Sequence, residues 1–272
     1  MLLCCVVYDG SRASASVGAD TAGTLAFGGF DRTYQLHVPA GLDHPAGLVI
    51  NLHGAGMTGA SQAAATSFNA VADRYGFVVV YPNGIDMSWA DGRGASLPDR
   101  QGVDDVGFLA ALIDRLSRDY DVPSGRVFAT GMSAGAFMAN RLACDRADIV
   151  AAIAPVAGTL GAGTRCTPSR PVSVLETHGT TDPVVPYAGG GMVGRGGPSD
   201  IEAAQAMVDG WRTVDGCPGA PVESVIGGAH RFTSSGCADG TEVVFVRVDG
   251  GQHVWPGDAS QAGAQFFATH AR

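Results

Sequence analysis

Short, nearly continuous apolar runs recur along this chain with helix-patterned stretches between them, and that alternation confines it to one broad class of fold. "GLVINLHG" (47–54) and "FVVVYP" (77–82) lack the in-and-out pattern of a half-exposed strand and read as strands covered on both faces. "RVFATGMS" (126–133), "IVAAIAPVAG" (149–158), "PVSVLETHG" (171–179) and "TEVVFVRVDG" (241–250) read as further strands. Helical stretches separate them, at 63–75, 104–120, 134–145 and near 200–214. The clearest runs from 104 to 120, with Val106, Leu109, Leu112, Ile113 and Leu116 at helical spacing behind an acidic start that suits the helix dipole. Two alternating runs around the Gly28-Gly29 pair predict a hairpin over 23–39, residues 83–103 read as a polar loop, and the glycine-rich patch 188–197 as a mobile surface loop. Strand and helix alternating on this scale predict an α/β fold, a mostly parallel central sheet with helices on both faces. Its 272 residues, 46% of them apolar, suffice for one large core, so a single catalytic domain is expected over residues 21–272.

Charge removes whole classes of function. The formal net charge of −9 is opposite to what phosphate backbones attract, so no nucleic-acid partner is expected. All 17 basic residues are arginines, which rules out Schiff-base lysines, a Ser-Lys dyad and a P-loop lysine. No run reaches the roughly 18 apolar residues that cross a bilayer, so no membrane partner is expected. The N-terminal "MLLCCVV" is apolar but short, and "ASA" at 13–15 resembles a signal-peptidase site, so residues 1–20 are expected to be a truncated leader. Of six cysteines, four fall into pairs about twenty residues apart, Cys144 with Cys166 and Cys217 with Cys237, without metal-ligand spacing. Two local disulfides formed in an oxidising compartment are the preferred reading, buried free thiols the alternative.

Within "GMSAGAF" (131–137), Ser133 stands between Gly131 and Gly135, where a buried strand turns directly into a helix. With 40 glycines in the chain a G-x-S-x-G match alone says little, and a small packing residue is the plain alternative for Ser133. Position makes the difference, because a nucleophile elbow has to sit at such a turn. Glycines on either side leave room for it, and the first N–H groups of the following helix can hold an oxyanion. The base and its orienting carboxylate belong at the ends of later strands. His253, in "DGGQHVWPG" after the strand 241–250, is the best-placed histidine, and Asp182, in "ETHGTTDP", is the natural acid. His178 also ends a strand, His230 lies between the second pair of cysteines, and His270 lies near the terminus. Ser133, Asp182 and His253 occur in the chain order of the α/β-hydrolase fold. Oxyanion donors are expected from the N–H of Ala134 and from the loop "NLHGAGMTG" (51–59), in which Ala55 follows His53-Gly54. Met132 beside the nucleophile, with Trp89 and Trp255, are the candidate substrate contacts; the two tryptophans either flank the cleft or simply pack. The plain alternative for Asp182 is a turn cap before Pro183, and for His253 a surface loop residue.

Taken together, "NLHGAGMTG", "GMSAGAFMANRLAC", "APVAG", "HGTTDPVVPY", "DGWRTVDGC" and "GCADGTEVVFVRVDGGQHVWPG" resemble the polyhydroxybutyrate depolymerase-like and feruloyl-esterase-like group of secreted α/β-hydrolases, over residues 30–268. The resemblance implies an esterase with Ser133 as nucleophile, Asp182 as acid, His253 as base, and Ala55 and Ala134 as oxyanion donors. It also implies that the two cysteine pairs are disulfides and that the protein is secreted or periplasmic. No metal or other cofactor is required, and a monomer acting on a small or polymer-borne ester is expected. Feruloyl or other cinnamoyl esters and short acyl esters rank first as substrates, with acetylated polysaccharide and polyesters (polyhydroxyalkanoate or aromatic) close behind. A serine peptidase and a non-catalytic hydrolase-fold binding protein are the more distant alternatives.

Overall fold

A computed structural model describes residues 20–272, so the expected leader over residues 1–20 lies outside the described residues except for its last one. The chain begins with the hairpin of β1 (Asp20–Phe27) and β2 (Phe30–His37), which turns at Gly28 and Gly29, both at positive φ. It continues through β3 (Gly47–Leu52), α1 (Gly59–Thr66), α2 (Phe68–Tyr75) and β4 (Phe77–Pro82). The single helix expected over 63–75 is two helices, because Ser67 adopts a left-handed conformation (φ 49°) that ends one and starts the next. The loop after β4 contains the short α3 (Leu97–Gln101) and leads into α4 (Asp105–Asp119), whose N-terminus is capped by Asp104. Then follow β5 (Val127–Met132), α5 (Ala134–Asp145), β6 (Ala152–Val156) and β7 (Ser173–Gly179).

The glycine-rich patch 188–197 is not an irregular loop. It builds most of a two-stranded ribbon, β8 (Gly190–Gly194) with β9 (Gly197–Ile201), held down where Met192 and Ile201 pack with Phe137 and Val185. After α6 (Ala204–Val214) comes a second hairpin, β10 (Val222–Ile226) and β11 (Ala229–Ser234), to which the sequence reading assigns no strand. Its turn is again a glycine pair, Gly227 and Gly228, both at positive φ. The chain closes with β12 (Val243–Val248) and α7 (Ala259–Thr269).

Ten strands form one sheet in the order β1-β2-β4-β3-β5-β6-β7-β12-β11-β10. Its centre, β4-β3-β5-β6-β7-β12, is parallel, and antiparallel strands finish each edge. Successive residues of β3 show why its run is continuously apolar: Leu48, Ile50 and Leu52 join the core with α4, α5 and α6, while Val49 joins the one with α2 and α7. All of β3 and β4 is buried. Cys144 is bridged to Cys166 and Cys217 to Cys237, with Cα atoms 4.8 and 4.0 Å apart. Among the described residues no helix is long and apolar enough to cross a membrane.

Candidate active site

Every expected site residue lies at or just beyond the carboxyl end of a parallel strand, apart from the two tryptophans, which sit further along the loops. Ser133 is the single residue between β5 and α5, at φ 55° and ψ −120°, a conformation that costs a non-glycine residue of order 1–3 kcal/mol. The surroundings hold it there. Its N–H donates to Val156 O at 3.0 Å, and its carbonyl accepts from Ala136 and Phe137 in the first turn of α5. Close approach explains the flanking glycines: a Cβ on Gly131 would lie 2.6 Å from Leu52 O, and one on Gly135 only 2.0 Å from the same atom. Gly158, which the sequence reading does not single out, is equally constrained, 2.7 Å from Ser133 O and 2.6 Å from Ala136 Cβ by the same measure.

Asp182 sits three residues beyond β7 and is buried. Its Oδ1 accepts from the N–H groups of Val184 (2.8 Å) and Val185 (2.9 Å), and its Oδ2 meets His253 Nδ1 at 2.8 Å. That bond assigns the imidazole tautomer: Nδ1–H donates to the carboxylate, leaving the Nε2 lone pair free. The loops carrying the acid and the base are laced together. Thr180 N donates to Val248 O (3.0 Å), Thr181 N to Gly251 O (3.1 Å), Gly250 N to Thr180 Oγ1 (2.9 Å) and Gln252 Nε2 to Thr181 Oγ1 (2.7 Å). No hydrogen bond joins Ser133 Oγ to His253 among the described residues, where His253 bonds through Nδ1 to Asp182. The other downstream histidines are engaged elsewhere: His178 is buried against Glu176, His230 faces Glu223 and Asp249, and His270 faces Glu242.

The loop after β3 reaches Ser133 from the other side, where a Cβ on Gly54 would stand 3.6 Å from Ser133 Cβ. Ala55 is exposed, and its N–H and that of Ala134 take no backbone acceptor among the described residues. His53, buried directly beneath, fixes this loop. Gly84 N donates to its Nε2 (3.0 Å), so its Nδ1–H donates to Gly54 O (2.8 Å). Burial lowers its pKa to about 4, which keeps the ring neutral and that pattern intact.

Trp89 belongs to the same support and not to the cleft wall. It is fully buried, lies against the His53 ring with centroids 4.7 Å apart, and donates from Nε1 to His53 O at 2.9 Å. An indole whose N–H is used inside the core offers no face to a substrate. Met132 and Trp255 are half-buried, and Trp255 donates to Ser260 Oγ (3.1 Å), which ties the base loop to α7. The β8–β9 ribbon also reaches the site. Arg195 at its turn bonds Asp86 O, Arg100 donates to Gly196 O (2.8 Å), and the neighbouring Met87 carbonyl accepts from Gly56 N (2.8 Å) beside Ala55.

A mostly parallel sheet covered by helices on both faces, with a serine at the turn between its fifth strand and the following helix, makes the chain an α/β-hydrolase-fold protein, and its relatives make it an ester hydrolase. It belongs to the family described as Esterase PHB depolymerase, which matches residues 32–265. It is 32% identical over 221 residues to feruloyl esterase B of Piromyces equi, covering 78% of this chain and 40% of that protein. To feruloyl esterase C of Emericella nidulans it is 30% identical over 235 residues, 81% of this chain and 76% of that one. Among solved structures it is similar to the acetyl xylan esterase from Aspergillus awamori, with a TM-score of 0.65 at 16% identity, covering 90% and 99% of the two chains. The chain thus spans less than half the length of the Piromyces enzyme.

Proposed function

We propose that residues 21–272 form one secreted or periplasmic catalytic domain that hydrolyses feruloyl or other cinnamoyl esters and short acyl esters through an acyl-enzyme on Ser133. The observation that most supports this reading is the 2.8 Å contact of His253 Nδ1 with Asp182 Oδ2, which leaves Nε2 free to serve a serine on the adjoining rim. His253 Nε2 takes the hydroxyl proton as Ser133 Oγ attacks the ester carbonyl. The N–H groups of Ala55 and Ala134 hold the oxyanion, and Asp182 stabilises the imidazolium. The imidazolium then gives its proton to the leaving alcohol as the C–O bond breaks. Water attacks the acyl-serine with His253 again as base, and the proton returns to Ser133 as the acid departs. No step calls on a metal or other cofactor. Met132 and the exposed part of Trp255 line the acyl side of the cleft.

The substrate preference rests on likeness to the feruloyl esterases. Two disulfides favour an oxidising compartment, and a monomer suffices because every group in the scheme comes from one chain. The test is labelling with a fluorophosphonate, peptide mapping, and a panel of methyl ferulate, acetylated xylan and polyester film. Label on Ser133 with fastest turnover of ferulate is expected. Absence of label would remove the nucleophile assignment, and film or xylan turnover without cinnamoyl turnover would reverse the substrate order.

A further inference from the structure

Directly beneath the acid lies a buried pair that the scheme above does not use. Glu176 and His178 occupy alternate positions of β7, on the face packed against α6, and both side chains are fully buried. Their contact joins Glu176 Oε1 to His178 Nδ1 at 3.2 Å; the other carboxyl oxygen, Oε2, is buried without a partner. On its far side His178 Nε2 meets Val185 O at 3.0 Å and lies 3.8 Å from Asp182 Oδ2. Val185 also donates its N–H to Asp182 Oδ1, so the imidazole grips the same turn that holds the acid. A carbonyl can only accept, so Nε2 must carry a hydrogen. With that hydrogen, neutral imidazole turns a lone pair at Nδ1 toward Glu176 Oε1, a contact that is a hydrogen bond when the carboxyl carries the proton, whereas imidazolium donates from both nitrogens.

We propose that Glu176 and His178 act as a proton-holding pair that positions the acid of the triad, with Glu176 keeping the hydrogen on His178 Nε2 that fastens Val185 and faces Asp182. The pair holds one proton: either the carboxyl donates it to Nδ1, or the imidazole carries it as a cation. Both forms preserve the grip, and the second puts positive charge beside Asp182. Burial pushes the Glu176 carboxyl up to about 7. Burial alone would lower His178, but the bond and charge of Glu176, the Val185 carbonyl and the charge of Asp182 together raise the imidazole. The other groups around His178 are few. From the acid loop come Asp182 and the Tyr187 ring, 6.1 Å away centroid to centroid, and beyond Asp182 stands His253. Arg247, its register partner on β12, turns to Asp249, and on α6 Asp209 and Arg212 pair with each other.

This inference rests on the triad reading, and the experiment separates the two. Glu176→Gln keeps a donor toward Nδ1 but removes the charge; Glu176→Leu fills similar volume and removes both. In the Gln variant kcat on a p-nitrophenyl ester should stay within about threefold of wild type. The acid limb of its kcat/KM profile should move up by about half a pH unit, because His253 no longer competes with a cation beyond Asp182. In the Leu variant kcat should fall about tenfold or more, with KM within about twofold and thermal stability not reduced. A role in packing alone would favour leucine and leave the pH profile in place. Wild-type kcat and an unmoved acid limb in both variants, with phosphonate still labelling Ser133, would overturn the pair. Failure to label Ser133 in the wild type would overturn the triad, and with it anything for the pair to position.

Discussion

Ser133 is kept in an unfavourable conformation by neighbours that leave it no alternative, and those neighbours make separable predictions. Ser133→Ala removes the proposed nucleophile and should lower kcat by about four orders of magnitude or more while the melting temperature stays within a degree or two. Gly135→Ala should do the reverse of a clean active-site knockout. Its Cβ would lie 2.0 Å from Leu52 O, in backbone that cannot swing aside, so the fold should lose about 2–3 kcal/mol by urea titration. His53 adds a pH signature. Burial lowers its folded pKa to about 4 from the ordinary 6.5, so the unfolded chain binds the extra proton first as pH falls. Its contribution is complete above about pH 6.5, declines through the window down to about pH 4, and amounts to some 3 kcal/mol. Urea midpoints of wild type and His53→Gln should therefore differ most at pH 7 and converge toward pH 4; a constant difference would show that His53 does not titrate across that window.

At the scale of elements, what the sequence makes legible is the part governed by burial. The six apolar runs become β3, β4, β5, β6, β7 and β12, because a strand covered on both faces draws most of its residues from the apolar set. The candidate site follows from them, since Ser133, Asp182 and His253 are each tied to a strand end. What composition hides is structure held by backbone and local contacts. Three of the five residues of β8 are glycines, with no side chain to signal a strand, and it exists because Met192 finds Phe137, Val185 and Ile201. β10 lies wholly exposed at the sheet edge, so no core face disciplines its pattern, although the Gly227-Gly228 turn repeats the signal that marks Gly28-Gly29. Trp89, which the sequence leaves open between flanking a cleft and packing, packs: its indole spans the loop to reach His53. The β10–β11 hairpin depends on covalent help. Cys217 and Cys237 flank it with a separation of 20 residues, for which chain entropy suggests about 3 kcal/mol of stabilisation. The double serine variant should lose that amount by urea denaturation, whereas an unchanged midpoint would place the hairpin's stability in the sheet alone.

Across the whole molecule, buried ionisable groups pull stability in opposite directions as pH changes. His53 favours neutral and alkaline conditions, whereas two buried carboxyls favour acid: burial raises Glu176 to about 7 and Asp215 to about 6. Asp215 is far from the catalytic rim, at the end of α6, where it accepts from Val172 N at 3.1 Å while its Oδ2 has no partner. Because its folded pKa lies above the unfolded 3.8, the folded state binds the extra proton; the cost is absent below about 3.8, grows to about pH 6 and is complete above it. The attraction of Arg272 and the bond from Val172 N–H oppose burial at Asp215 without cancelling it. Asp215→Asn keeps an oxygen for Val172 N–H and removes the charge. Its melting temperature should exceed that of wild type at pH 8 by several degrees, at about 2–4 °C per kcal/mol for a chain of this length, and approach it near pH 4. Equal melting temperatures at both pH values would mean that Asp215 is solvated in the fold, and that the acid side of the stability curve is set by Glu176 and the other carboxyls instead.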